Sequence, residues 1–165
     1  MTKAKKPDGP STPATAALAA AGISCSLHPY DLDEQARSYG ESAAHALGVT
    51  PDRVFKTLVA EVDDKLSVAV VPVAGSLDLK ALAAALGGRR AVMAEPSRVE
   101  RVTGYVVGGI SPLGQRRALR TVIDESALGF ATIFFSAGRR GLQVEVAPVH
   151  LVALTRARTA AITRR

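Results

Sequence analysis

One lysine and one glycine-rich segment have the residue types and spacing for chemistry. Residues 54–62, VFKTLVAEV, alternate as a strand does, with successive side chains on opposite faces. Val54, Lys56, Leu58, Ala60 and Val62 share one row, and Phe55, Thr57, Val59 and Glu61 share the other. Lys56 therefore falls in the more aliphatic row, where an unpaired ammonium costs several kcal/mol. Two readings stand: a lysine that snorkels to water at a sheet margin, or one that reaches a cleft. Residues 103–114, TGYVVGGISPLG, hold four of the chain's 14 glycines. Paired Gly108 and Gly109 could form a backbone nest for an anion, or only a tight turn between core segments. The segment lacks the Gly-Lys-Ser/Thr ending of a nucleotide P-loop and the spacing of a dinucleotide fingerprint. Arg116, Arg117 and Arg120 follow it, and Arg139 and Arg140 sit in a later loop. Such runs are ordinarily solvated, but beside an anion nest they favour a phosphate-bearing partner.

Other reactive residues are sparse. His28, His45 and His150 have no metal-ligand spacing, and no HExxH or GxSxG motif occurs. The single Cys excludes a disulfide within the chain and Cys-rich zinc or iron–sulfur sites. Cys25, in the row of Ile23 and Leu27, reads as a small buried hydrophobe. No metal or cofactor is expected. With 21 Lys and Arg against 15 Asp and Glu, the formal charge is +6. Two ends carry it: three lysines against Asp8 in residues 1–10, and four arginines in residues 156–165. Between them, residues 11–88 have five basic and nine acidic side chains, and residues 89–155 nine basic and five acidic. A neutral body with a −4 half and a +4 half excludes a protein that coats DNA and leaves room for one basic face.

These residues need a scaffold. The 165 residues suit one domain, 47% hydrophobic and 4% aromatic, with an aliphatic core. Residues 1–10 read as a disordered leader and 11–165 as the domain. Lysines before an Ala-rich stretch imitate a signal peptide, but the apolar part is short and interrupted. The apolar run 68–74 contains Pro72 and is far below the roughly 20 residues of a membrane span. A cytoplasmic protein without membrane contact is expected. Helices are expected at 14–21 (capped by Ser11 or Thr12), 39–48 and 79–86 (capped by Asp78), with a helical turn at Pro96 and a last helix opened by Pro148. Strands are expected at 23–28, 54–62, 66–73, 91–93, 119–123, 132–135 and 142–146, the second and third forming a hairpin through 63–65. The order implies an α+β fold with a mixed sheet and helices packed on it.

VFKTLV, VAVVPVAGSLDLK (68–80), TGYVVGGISPLG, the pair Ile123-Asp124 and SAGRRGLQVEV (136–146) together resemble the YbaK family of trans-acting aminoacyl-tRNA deacylases. The likeness runs from about Ala14 to the C-terminus and lies nearest the Cys-tRNA(Pro) branch. The editing domain inserted in bacterial prolyl-tRNA synthetases is a relative. The resemblance implies a strongly bent mixed sheet surrounded by helices. It implies that Lys56 is the essential lysine of the cleft, that Gly108 and Gly109 line it and hold substrate, and that Ser111 and Pro112 continue the wall. Tyr30, Tyr39, Ser136 and Gln143 then belong to the substrate pocket, with Gln143 standing where one relative has Asp. Arg116, Arg117, Arg139 and Arg140 are expected to meet tRNA. The implied reaction deacylates Cys-tRNA(Pro), and Cys-tRNA(Cys) by extension, through attack by the substrate's own thiol. Mischarged tRNA and a transient prolyl-tRNA synthetase complex are the implied partners. The alternatives are an alanyl-tRNA(Pro) deacylase and a non-catalytic module that binds tRNA ends.

Overall fold

A computed structural model describes residues 11–33, 35–36 and 38–165. The expected leader, residues 1–10, lies outside them. The first helix, α1 (Pro13–Ala20), begins where expected: Thr12 accepts from the Thr15 N–H, Thr15 returns a bond to the Thr12 N–H, and Pro13 occupies the first turn. The strand expected at 23–28 starts later, as β1 (Ser26–Pro29). The Ile23 N–H instead closes the helix end on the Leu18 carbonyl. Helix α2 (Tyr39–Leu47) is capped by Ser38 and ended by Gly48.

The predicted hairpin is β2 (Phe55–Val62) and β3 (Lys65–Pro72), in antiparallel register with Lys56 opposite Val71. After β4 (Ser76–Leu77), Asp78 accepts from the Ala81 N–H and starts α3 (Leu79–Ala85). Strand β5 (Ala91–Met93) leads to α4 (Pro96–Thr103), two full turns where one was expected. The glycine-rich segment has no regular structure. It is followed by β6 (Arg120–Asp124), a 3-10 turn, β7 (Ile133–Arg139), β8 (Leu142–Val146) and α5 (Pro148–Thr155).

The arginine-rich C-terminus, to which the sequence analysis assigned no element, forms β9 (Arg158–Ala160), parallel to β6, and β10 (Thr163–Arg164), antiparallel to β4. Buried Asp124 holds it by accepting from the Ile162 N–H at 2.9 Å. Strands this short and this charged carry no periodic signal, so only their partners define them.

Strand order is β5-β2-β3-β6-β9 in a mixed sheet and β1-β8-β7 in an antiparallel one. A single parallel bridge, Val54 with Phe134, joins the two, so the expected bend is a junction between sheets. The two rows of β2 bury as predicted. Phe55 and Val59 enter the main core with Val70, Ile123 and Phe135, whereas Ala60 and Val62 pack with Leu82 of α3. A third small core of Ala43, Ala44, Val54 and Phe134 fastens α2 over the junction. The site forms there.

Candidate active site

The row that buries Ala60 and Val62 brings Lys56 to a cavity of about 220 Å³ at the sheet junction. Half-burial pulls the Lys56 amine below its ordinary value. No carboxylate among the described residues pairs with it. The structure thus places Lys56 at the cavity, partly buried.

Tyr30, Tyr39, Gly108, Ser136 and Gln143, all expected in the pocket, line the same cavity. Register explains part of this convergence, because Gln143 of β8 stands opposite Ser136 of β7. Tyr30 follows β1 and is tied to the same hairpin by its N–H, which donates to the Gly141 carbonyl at 2.9 Å. Burial raises the Tyr30 phenol, against a smaller opposing effect of the Gln143 amide. Tyr39 begins α2, which reaches the cavity with its first turn.

The glycine segment enters through a turn in which the Gly109 N–H donates to the Val106 carbonyl at 2.9 Å. Gly108 occupies the third position with φ +90°, a conformation that disfavours any side chain. Gly109 serves a different need: a Cβ there would lie 2.8 Å from the Arg139 backbone, which passes directly over it. The expected pair of donors is thus divided. Gly109 uses its N–H within the turn, and the Gly108 N–H meets no acceptor among the described residues.

Other expected positions lie elsewhere. Ser111 is fully buried behind the cavity, its Oγ accepting from the Leu113 N–H, and Pro112 faces a separate depression beside Ala17 and Leu154. Neither continues the cavity wall, because the Tyr105 hydroxyl donates to the Leu113 carbonyl at 2.6 Å and draws this stretch into the core. Arg117 and Arg139 are exposed. The Arg116 guanidinium donates to the Arg101 carbonyl near the end of α4. Arg140 is engaged with the loop itself: Nε donates to the Val107 carbonyl at 2.9 Å, and the guanidinium lies 4.8 Å over the Tyr39 ring.

Sequence reasoning did not single out Thr57, whose buried Oγ1 has no hydrogen-bond partner among the described residues; the buried Oε1 of Gln143 shares this condition. Both residues line the cavity. A hydroxyl between Phe55 and Val59 was the available signal, weak because threonine is common in strands.

His, Cys, Asp and Glu are absent from the described cavity wall. Among the described residues no group of three or more such side chains could hold a metal ion. The wall offers a cation and a backbone donor. It can orient an ester and stabilise negative charge on it.

The model of the aminoacyl-tRNA editing domain matches residues 33–154. The chain belongs to that family. A protein of Enterococcus faecalis provisionally named Cys-tRNA(Pro)/Cys-tRNA(Cys) deacylase EbsC is 42% identical over 125 residues, 74% of this chain and 76% of that protein. A stretch of 68 residues, 41% of this chain, is 43% identical to part of the proline–tRNA ligase of Moorella thermoacetica, where it spans 12% of the length. A solved structure, described provisionally as a trans-editing enzyme for prolyl-tRNA synthetase, matches this editing domain with TM-score 0.81 and 27% identity. It covers 95% of this chain and 100% of that one. The α+β fold expected from the motifs is therefore that of an editing domain. Among the described residues no helix is long and apolar enough to cross a membrane.

Proposed function

We propose that this editing domain acts in trans as a deacylase of cysteine mischarged onto tRNA(Pro), with Cys-tRNA(Cys) as a second substrate. The observation that carries the reading is a cavity with the Lys56 amine and the Gly108 backbone but no His, Cys or carboxylate for conventional acyl transfer. The 42% identity to the Enterococcus faecalis protein supports the cysteinyl substrate.

The substrate brings its own nucleophile. Its thiol sulfur attacks the ester carbonyl, the bond from that carbon to the ribose oxygen breaks, and the thiol proton passes to the departing hydroxyl. The products are free tRNA and a cyclic thioester that water opens. An attacking group held within the same molecule has a high effective molarity, so the protein needs only to position it and stabilise the oxyanion. The Gly108 N–H is the proposed oxyanion donor, and Lys56 anchors the terminal ribose or phosphate. Exposed Arg117 and Arg139 supply weak, salt-sensitive attraction for the tRNA backbone. The likeness to part of a proline–tRNA ligase supports a transient synthetase partner, which would add tRNA selection.

Deacylation of Cys-, Ser- and Ala-tRNA(Pro) at matched enzyme concentration tests the reading. Fast release from the cysteinyl ester alone is expected. Equal rates for all three would overturn the thiol route, and faster alanyl release would make this an alanine editor. Binding of tRNA without any ester cleavage would leave a tRNA-end binding module.

A further inference from the structure

Arg140, counted with the tRNA-facing arginines on sequence, has a more specific place in the structure. The first two of the three peptide units between Val106 and Gly109 carry four polar groups. Three are paired: the Val106 carbonyl with the Gly109 N–H, the Val107 N–H with Glu100 Oε1 at 3.0 Å, and the Val107 carbonyl with Arg140 Nε at 2.9 Å. The fourth is the Gly108 N–H. The central peptide of any such turn takes no part in the turn's own hydrogen bond, so its orientation depends on outside partners.

Arg140 is that partner. A trans peptide is planar, with its carbonyl and N–H pointing in opposite directions. Holding the Val107 carbonyl toward the exposed guanidinium therefore turns the Gly108 N–H away from it. Gly108 itself lines the cavity. A charged donor on the carbonyl also polarises the amide and strengthens its N–H as a donor. Stacking on Tyr39 fixes the plane of the guanidinium.

We propose that Arg140 is a positioning residue that acts through the Val107–Gly108 peptide to aim and polarise the Gly108 N–H toward the reacting ester; this rests on the deacylase reading above. Arg140→Ala and Arg140→Lys separate it from a phosphate contact. If the proposal holds, both variants lower kcat by about tenfold or more, part of the hundredfold typical for losing an oxyanion donor, with KM little changed. Lysine does not rescue, because it lacks the planar fork that donates and stacks together. Rescue by lysine, with KM raised in the alanine variant and its salt dependence reduced, would overturn the proposal in favour of phosphate binding. The Gly108 amide proton, followed by NMR in 15N-labelled wild type and variants, gives a test independent of turnover. An upfield shift in both variants, with β2 amides unchanged, is expected; an unmoved Gly108 resonance overturns the proposal. If the wild type cleaves no aminoacyl ester, the deacylase reading fails and the amide shift still decides whether Arg140 sets this peptide.

Discussion

The Tyr39 ring rests against the backbone of Gly108 so closely that a Cβ at position 108 would lie 2.6 Å from two ring carbons. Arg140 covers the same ring, which restricts its retreat. Gly108→Ala therefore meets both a steric block and the cost of a side chain at φ +90°, about 1–3 kcal/mol of strain. Deacylation is expected to fall by about a hundredfold or more, with far-UV circular dichroism unchanged. Adding Tyr39→Leu removes the ring but not the backbone strain, so the double variant should stay inactive. Recovery of activity in the double variant would mean that crowding alone requires the glycine.

The proposed anchoring role of Lys56 would set function against stability. The folded pKa of Lys56 lies below the ordinary 10.5 because burial disfavours the charged form, so the unfolded chain binds this proton more tightly. The penalty is present at neutral pH and disappears as pH rises through the folded value toward the unfolded one. Lys56→Met keeps the stem and removes the charge. It should abolish deacylation while raising stability at pH 7 by about 1 kcal/mol or less, a gain that shrinks in strong alkali. Denaturant melts and deacylation rates on the same preparation check this. A destabilised Met variant would point to an anionic partner for the ammonium.

Lys56 was legible because alternation in 54–62 places it where only a cleft or a margin can accommodate charge. Thr12, Asp78 and Gly48 likewise announced helix ends through local chemistry, and the structure uses each of them. Ser111 and Arg140 were not legible in the same way. An inward turn set by the Tyr105 hydroxyl places Ser111 in the core, and a single carbonyl across the loop gives Arg140 its task. Ser111 depends on a side-chain-to-backbone bond within its own loop and Arg140 on a residue 33 positions away, and composition and periodicity encode neither. Strands β9 and β10 share the dependence of Arg140 on distant residues, since Asp124 and the edges of β6 and β4 recruit them.

Asp124 should couple the C-terminal strands to pH. Burial raises its pKa, but hydrogen bonds from Ser126 and the Ile162 N–H outweigh that and hold it below the ordinary 3.8. A depressed carboxyl contributes stability that is complete above the unfolded value and lost as pH falls through the folded one. Asp124→Asn removes the charge and presents an amide donor toward donors, so a loss of about 2 kcal/mol at pH 7 is expected. The difference between wild type and variant should narrow as pH falls below 3.8. A difference that is flat with pH would assign the effect to shape rather than charge. Amide exchange should show the loss first at Ile162 and Thr163.

Thr57 and Gln143 provide a prediction in which stability and binding move in opposite directions. Each buries an oxygen without a partner among the described residues, at about 1–3 kcal/mol per unsatisfied group. Thr57→Val deletes its oxygen at similar volume and should be more stable than wild type by about 1 kcal/mol when unliganded, whereas Gln143→Leu also removes the amide beside the Tyr30 phenol, so its gain should be smaller. Both residues line the cavity, however, and a bound aminoacyl ester whose ammonium drew either side chain inward would pair its oxygen. An amide-linked cysteinyl adenosine, which cannot be deacylated, should raise the melting temperature of wild type. It should raise that of the two variants much less. Undiminished shifts in both would show that the bound ligand leaves these oxygens unpaired, and their burial would then need a purely structural account. Loss of the shift in Gln143→Leu but not Thr57→Val would assign ammonium recognition to the β8 side of the cavity.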